Sequence, residues 1–398
     1  MRSTFDPAPR RPTTRGERLG AALFALLLTG LLAAELLQGY SPRKLSVLFI
    51  IAFWAPLLVV HELGHALTAR LLGWHVHEIV IGFGPELARF SVGGTRVTLR
   101  LVPMEGYVVP SPDRLEGARG KSALVYFGGP GAEVLCALLA LAWLGPETMF
   151  TRTEAIPVIA VQSFALAAVI GVLMTLIPHA GGGGASDGLG ILLSFRLSDN
   201  DFAYRMAGPA MDEAQRRIEA DNTEGALEHI DAEIAHDPNN PFLPIMRVRC
   251  VAATGDRETA LAELERMREQ PHHSDLVEGE RLHAAARVVL EAGDRELLAD
   301  AEGACRAALE RMGGSPDVQV TLGAILIEQA RYREAEEILQ TVFKRTRDPW
   351  QEDRCMAYLA LTALALGREA DAELFRQAFE ARSHNRRLRK QLSTNWIA

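Results

Sequence analysis

The sequence predicts a mainly α-helical protein in two parts: a polytopic bundle of about four membrane-spanning helices with a small β-hairpin inserted in it, then a soluble α-solenoid. Three observations lead to this prediction. Long apolar runs are concentrated before about residue 196, a stretch with period-two alternation interrupts them, and a period of 34 to 35 residues recurs in the charged, alanine-rich remainder. The 398 residues therefore divide into a basic tail (1–18), a membrane domain (19–198) and a repeat domain (200–398).

Charge and cysteine content narrow the possible functions. The chain carries 42 Lys and Arg against 50 Asp and Glu, and the net charge of −8 arises in the second half, so a nucleic-acid partner is not expected. The cysteines lack C-x-x-C spacing and are interpreted as reduced core residues rather than ligands or bridges. They are Cys136, Cys250, Cys305 and Cys355.

The first apolar run, residues 19–38, is interpreted as a transmembrane helix rather than a cleavable signal. It is long for the apolar region of a signal peptide and lacks a small-residue cleavage site. The segment before it is basic, and the positive-inside rule places that segment in the cytoplasm. Its basic residues are Arg2, Arg10, Arg11, Arg15 and Arg18. They outnumber Arg43 and Lys44, which follow the run and favour the opposite orientation.

The second predicted span, residues 45–72, contains the sequence H-E-L-G-H. Two histidines four residues apart lie on one face of a helix, so His61 and His65 can share a Zn²⁺ ion, with Glu62 beside them as general base. The alternative is that these are polar residues at a helix end which occur together by chance. Their place in an apolar span favours the metal site, because ionisable groups at membrane depth are costly and usually functional.

A β-hairpin is predicted between the second and third spans. Residues 88–92 and 95–101 alternate with period two on either side of a Gly-Gly turn, and the pattern runs on through 103–109. An edge strand directly after a zinc-binding helix can hold an extended peptide by backbone hydrogen bonds. A plain connecting hairpin fits the pattern about equally well.

Two further spans are predicted, at residues 122–144 and 155–177. The first contains a Gly-Gly-Pro segment, whose glycines allow helix backbones to approach closely. Glu133 follows this segment near the cytoplasmic end of the span. Its carboxylate either faces the catalytic cavity or reaches towards the membrane surface.

A third metal ligand is expected after the last span. Four consecutive glycines form a pliant turn, and Asp187 follows them just before another apolar helical stretch, residues 189–195. By the predicted topology Asp187 lies on the same cytoplasmic side as His65, so it can complete a His₂Asp site that leaves one position open for water. His179 is the rival ligand, but it is less constrained because it lies between Pro178 and the glycine run.

The second half contains a repeat of the length of a tetratricopeptide unit. Residues 224–227 recur at 258–261, which is 34 residues later, and residues 333–335 recur at 368–370, which is 35 residues later. Such a period is typical of helix-turn-helix repeats, whose concave surface usually binds peptides or proteins. The region 300–312 is interpreted as a degenerate repeat. A folded cap without a partner is the alternative.

Five motifs occur in a fixed order along the first half of the chain. They are H-E-L-G-H at 61–65, G-F-G-P at 82–85, P-M-E-G-Y-V at 103–108, G-G-P at 128–130 and S-D-G at 186–188. Together they resemble the site-2 protease family of intramembrane zinc metalloproteases. The resemblance covers about residues 45–196, and the order of the motifs is far more specific than any one of them.

The resemblance implies a role for each matching residue. Zinc is expected to be bound by His61, His65 and Asp187. Glu62 is expected to activate water. The strand around Gly106-Tyr107 is expected to lie in a membrane-associated β-loop that steers single-span membrane substrates.

The chain departs from the family pattern at two positions. Family members often carry Asn where this chain has Glu133 and Thr175. Those amides are thought to hold substrate or the oxyanion, so both positions are expected to contact substrate. Only residues 110–121 separate the hairpin from the third span, which leaves no room for an inserted PDZ domain; the repeat domain is expected to recruit partners instead.

The sequence therefore predicts an intramembrane zinc metalloprotease with one Zn²⁺ per chain, acting on single-span membrane proteins. A protein or peptide partner is expected on the repeat domain, and both the N-terminus and this domain are expected in the cytoplasm. The composition is compatible with a bacterial inner membrane. An inactive membrane-anchored tetratricopeptide scaffold is the first alternative, favoured by Glu133 and Thr175. A metal transporter or sensor, the second, requires polar residues along several spans.

Overall fold

The computed structural model describes residues 30, 34, 38–181, 184–268, 274–346, 349–383 and 385–397. The predicted basic tail (1–18) and nearly all of the predicted first span (19–38) lie outside these residues. The chain divides into two compact units, of which one ends at Leu197 and the other begins at Ser198.

The first unit is built around three long apolar helices. Its helices are α1 (Leu45–Leu71), α2 (Ala118–Leu144), the short α3 (Pro146–Phe150), α4 (Ile156–Leu176) and α5 (Asp187–Ser194). Among the described residues, α1 with its preceding turn, α2 and α4 are long and apolar enough to cross a membrane. They coincide with the predicted second, third and fourth spans to within a few residues at each end.

Helices α1 and α2 are in backbone contact at a pair of glycines. A methyl group added to Gly64 would lie 2.4 Å from the carbonyl oxygen of Gly128, and one added to Gly128 would lie 2.7 Å from that of Gly64. Small residues permit this approach between membrane helices. The contact presses α2 onto the face of α1 that carries the two motif histidines.

The predicted hairpin is confirmed, with longer strands than the sequence indicated. Strand β1 (His75–Val92) and strand β2 (Thr95–Ser111) are antiparallel and meet at Gly93-Gly94, where both φ angles are positive, at 55° and 83°. Two further glycines with positive φ, Gly82 and Gly84, bend β1 in its middle. Residues 78–81 consequently pair with 106–109 on one side and with 96–99 on the other.

The described residues around the glycine run after α4 form a short pair of strands. Strands β3 (Ala180–Gly181) and β4 (Gly184–Ala185) pair antiparallel there. Ser186 caps α5, since its Oγ accepts a hydrogen bond from the Leu189 amide. Asp187 is thus the first residue of α5 rather than a residue before it.

The second unit consists of helices in its described part. They are α6 (Asp199–Glu219), α7 (Thr223–His236), α8 (Phe242–Thr254), α9 (Arg257–Arg268), α10 (Asp275–Ala292), α11 (Leu298–Met312), α12 (Pro316–Glu328), α13 (Tyr332–Arg345), α14 (Pro349–Ala365), α15 (Glu369–Arg382) and α16 (Arg386–Ile397). Consecutive helices α6 to α15 form five pairs. Gly255 and Gly367, both with positive φ, end the first helix of two of these pairs.

The second helices of these five pairs share one feature: the fourth residue of each is an alanine that is at most 2% exposed. These residues are Ala226, Ala260, Ala301, Ala335 and Ala372. Burial this complete leaves little room for a side chain larger than a methyl group. The buried alanine identifies the region 300–312 as part of a true helical pair.

One predicted repeat match is wrong in register. The match between residues 333–335 and 368–370 equates Ala335, which is buried, with Ala370, which is exposed. Counted from the helix starts, the counterpart of Ala335 is Ala372, 37 residues later. The other match, between Ala226 and Ala260, is in structural register at 34 residues.

A polar cluster that is buried except for the partly exposed Asp317 joins three helices of the second unit. Arg354 of α14 donates hydrogen bonds to Asp317 and, over 3.2 Å, to Thr321 of α12, and Thr321 lies 3.0 Å from His283 Nε2 of α10. Burial alone would raise the pKa of the Asp317 carboxyl, but the charges of Arg354 and the neighbouring basic groups hold it well below its usual range. The ionised carboxylate is therefore part of the folded structure.

Candidate metal centre

Three side chains converge inside the first unit. His61 and His65 lie one turn apart on α1, and Asp187 reaches them from the start of α5. His61 Nε2 is 3.1 Å from His65 Nε2 and 3.1 Å from Asp187 Oδ2, and His65 Nε2 is 3.3 Å from Asp187 Oδ1. The two histidines are buried among the apolar helices.

These distances fit a zinc ion. Zn–N and Zn–O bonds of about 2.0–2.1 Å place neighbouring ligands of a tetrahedral site about 3.3 Å apart. The three separations between the ligand side chains, two of them to different oxygens of Asp187, match that spacing within a few tenths of an ångström. Two imidazole nitrogens and a carboxylate are also the donor set of a catalytic site, which keeps its fourth position open.

Each imidazole has a partner for its other nitrogen. His65 Nδ1 is 2.7 Å from the carbonyl oxygen of Val125 and 3.2 Å from the backbone nitrogen of Gly129. The contact with the carbonyl is the shorter of the two and a carbonyl can only accept, so the proton is assigned to Nδ1 and the Nε2 lone pair is left for a metal. His61 Nδ1 lies 3.3 Å from Glu133 Oε2. Both partners belong to α2, which reaches the histidines because of Gly129: a methyl there would lie 2.4 Å from His65 Nε2 and 2.7 Å from His61 Nε2.

Asp187 is held in place by two glycines of α5 that touch neighbouring helices. A methyl group on Gly188 would lie 1.9 Å from the carbonyl oxygen of Leu176 at the end of α4, and one on Gly190 would lie 2.3 Å from the ring of Tyr126 on α2. The Ser186 hydroxyl adds a hydrogen bond of 2.8 Å to the carbonyl of Ile177. The first turn of α5 is thereby fixed against both long helices.

Glu62 lies beside the two histidines and is only 4% exposed. Among the residues that the structure describes, its Oε2 atom has no hydrogen-bond partner, which is unusual for a buried carboxylate. It borders a cavity of about 510 Å³. A buried, unpartnered carboxylate oxygen at a metal site is what a general base requires.

The four residues predicted to contact substrate all line this cavity. They are Gly106, Tyr107, Glu133 and Thr175. For Glu133 the sequence left open whether it faces the cavity or the membrane surface, and the structure places it in the cavity. Their contact with substrate remains a prediction.

His179, the rival third ligand, lines the same cavity without joining the cluster of donors. Its Nδ1 lies 2.9 Å from the carbonyl oxygen of Ile177, two residues earlier.

Sequence reasoning did not single out the close approach of Gly106 to Glu62 or of Gly171 to Glu133. A lone glycine inside a strand or helix pattern is the only signal that the sequence offers for such contacts.

A histidine pair and a carboxylate held among apolar helices define the class of membrane-embedded metallopeptidases. Comparison with known proteins agrees with this class. A sequence profile of peptidase family M50 matches residues 48–367. The chain therefore belongs to peptidase family M50, the site-2 proteases, and the predicted resemblance, the metalloprotease class and the zinc cofactor are confirmed.

Curated relatives match a shorter stretch. The chain is 40% identical over 79 residues to zinc metalloprotease RasP of Geobacillus kaustophilus, which covers 19% of each chain. It is 48% identical over 63 residues to the chloroplastic membrane metalloprotease ARASP of Arabidopsis thaliana, covering 16% of this chain and 14% of that protein. The chain thus spans less than a fifth of the length of both relatives.

Among solved structures, a tetratricopeptide-repeat protein of Thermus thermophilus matches 48% of this chain and 99% of its own, with 14% identity and a TM-score of 0.38. A score of this size supports no conclusion about the second unit. The helical pairs and their buried alanines describe that unit by themselves.

Proposed function

We propose that the protein is an intramembrane zinc metalloprotease that hydrolyses peptide bonds of membrane-spanning protein substrates. One observation carries the proposal: three ligand side chains with zinc spacing lie next to a buried, unpartnered carboxylate oxygen in a cavity between membrane-length helices. Membership of family M50 supports the same activity.

In this proposal the metal is held by His61, His65 and Asp187. Zinc bound there would act as a Lewis acid, which would polarise the scissile carbonyl and lower the pKa of a water molecule. Glu62 accepts the proton of the attacking water and passes it to the leaving amine. Its burial favours both transfers, because little solvent competes for the proton.

The hairpin is proposed to present the substrate. A substrate helix has its carbonyls bonded internally, so it must unwind locally before a peptide bond can be cleaved. Residues 106–108 of β2 border the cavity and belong to a strand. Backbone pairing of the unwound substrate with this strand segment would replace the hydrogen bonds lost in an apolar medium.

The orientation of the chain in the membrane and its binding partners are also part of the proposal. The basic tail before the first predicted span favours a cytoplasmic N-terminus, and an even number of spans brings the repeat domain to the same side. The helical pairs of the second unit are proposed to bind a protein or peptide, either a substrate or a regulator.

The proposal is tested with the purified full chain in proteoliposomes and a reporter protein with one membrane span. We expect cleavage inside the span, located by mass spectrometry of the products, with loss of cleavage on adding a chelator and recovery with Zn²⁺. Glu62→Gln should produce no such fragments. If the parent yields only the fragments seen with Glu62→Gln, the proposal fails and the membrane-anchored scaffold takes its place.

A further inference from the structure

We infer that Glu133 is a positioning residue for His61: its carboxylate accepts the Nδ1 proton, fixes the tautomer and orientation of the imidazole, and strengthens metal binding. The inference rests on the proposed function in one respect, because it takes His61 as a zinc ligand. It assigns to Glu133 a role other than contact with substrate.

The contact between the two side chains is short and shielded from water. Glu133 Oε2 lies 3.3 Å from His61 Nδ1, and the two side chains are 6% and 7% exposed. This separation is slightly longer than an ordinary hydrogen bond, and among the described residues the oxygen has no hydrogen-bond partner of standard geometry, so it is available to accept from Nδ1. A carboxylate behind a ligating histidine is a common arrangement at zinc sites, where it raises the basicity of the ligand.

The pocket that holds this carboxylate is formed by a glycine of α4. A methyl group on Gly171 would lie 2.6 Å from Glu133 Oε1 and 3.0 Å from Oε2. A glycine inside a long apolar helix is unfavourable for the helix itself, so its presence here is explained by packing against the carboxylate. The backbone of α4 thus confines Glu133 to the side of the cavity where His61 lies.

The chemistry of the side chain also argues against a role towards an oxyanion. An amide at this position can donate a hydrogen bond to developing negative charge, whereas a carboxylate oxygen that accepts from His61 Nδ1 offers no donor. The Nδ1–H group of a neutral imidazole is, by contrast, a donor that suits the Glu133 carboxylate.

The Nδ1 atoms of the two histidines consequently face different kinds of acceptor. His65 Nδ1 is 2.7 Å from a backbone carbonyl, which no side-chain substitution removes. His61 depends on the side chain of Glu133. Metal affinity should therefore respond to substitutions at residue 133 and at the glycine that confines it.

The test measures metal affinity directly, by competition between the purified full chain and a chromophoric Zn²⁺ chelator. Glu133→Leu should weaken Zn²⁺ binding about 10- to 100-fold, as loss of such a partner does elsewhere. Glu133→Gln, which keeps an acceptor oxygen but no charge, should weaken it less. Gly171→Ala keeps the carboxylate but displaces it, and should also weaken binding.

The matched control is Ser163→Ala. Ser163 is a buried polar residue of the same helix as Gly171, and its hydroxyl bonds only to Ile159 of that helix in the hydrogen bonds seen. Its zinc affinity should equal that of the parent. Co²⁺-loaded protein provides a second readout, since its visible spectrum should change in the Glu133 variants and stay the same in the control.

Failure of the inference is distinguishable from failure of the proposed function, because the affinity measurement involves no cleavage. If Glu133→Leu, Glu133→Gln and Gly171→Ala all bind Zn²⁺ within twofold of the parent, the positioning role is overturned, whether or not the parent cleaves. If the predicted order of affinities is found in a parent that cuts no reporter, the positioning role stands and the protease proposal falls.

Discussion

Gly106 of β2 lies directly against Glu62 of α1: a methyl group added to Gly106 would be 2.7 Å from Glu62 Oε1 and 2.8 Å from its carboxyl carbon. The hairpin and the metal-site helix therefore meet at the candidate general base. Glycine is the only residue that leaves the carboxylate where it is. The same strand that is proposed to pair with substrate thus also sets the position of Glu62.

Replacing Gly106 by alanine should impair catalysis without removing the metal. The added methyl must push the Glu62 carboxylate aside, and a misplacement of about 1 Å can reduce the rate about 100-fold. We expect kcat/KM for a single-span reporter to fall by about that factor, with the zinc content unchanged. Gly120→Ala is the control, because a methyl there meets no atom within 4 Å. Equal rates for the two variants would contradict the prediction.

Replacing Gly129 by alanine should instead remove the metal. The new methyl would lie 2.4 Å from His65 Nε2 and 2.7 Å from His61 Nε2, where the ion has to be coordinated. Zinc content after purification, measured by atomic emission, should fall well below that of the parent. Gly131→Ala, in the same helix, meets only the exposed ring of Phe127 at 3.2 Å and should retain zinc. Retention of zinc by Gly129→Ala would place the ion elsewhere.

The partly buried ion pair between Arg354 and Asp317 should make the second unit sensitive to acid. The folded pKa of Asp317 lies below its unfolded value of about 3.9, so the stabilisation is present above that value and is lost as the pH falls through and below it. Urea unfolding of the full chain in detergent, followed by far-UV circular dichroism, should show this loss between about pH 5 and pH 2.

Asp317→Asn separates this effect from general acid unfolding. Removal of one partner of this partly buried ion pair leaves the buried Arg354 without its carboxylate, and we expect a loss of up to about 3 kcal/mol at pH 7, with a weaker pH dependence than the parent. Glu310→Gln, on the exposed side of α11, is the control and should behave as the parent. An Asp317→Asn variant as stable as the parent would show that the pair contributes nothing net.

Much of the site could be anticipated from spacing alone. Two histidines four residues apart must share a helix face, and counting spans placed Asp187 on their side of the membrane. The helices that carry these residues were also predictable, because apolar runs of this length are typical of membrane-spanning helices. The contact distances themselves come only from the structure.

Other features depend on contacts that no local pattern encodes. The direction of Glu133 follows from Gly171 on another helix, so the sequence could only leave two alternatives. The first half of β1 was missed because its buried, mostly apolar run does not alternate strictly, being paired on both sides. The repeat register predicted at residues 368–370 was wrong because it was based on a match of three residues. The first residue of each helix sets the structural register, and the sequence pattern alone does not determine it.

The measurement that tests the central claim most directly is zinc content together with reporter cleavage, compared between the parent, Glu62→Gln and Asp187→Ala. The account predicts one zinc per parent chain and cleavage, full zinc without cleavage in Glu62→Gln, and weakened zinc binding in Asp187→Ala. A parent that holds little zinc, or a Glu62→Gln variant that cleaves as fast as the parent, would contradict it.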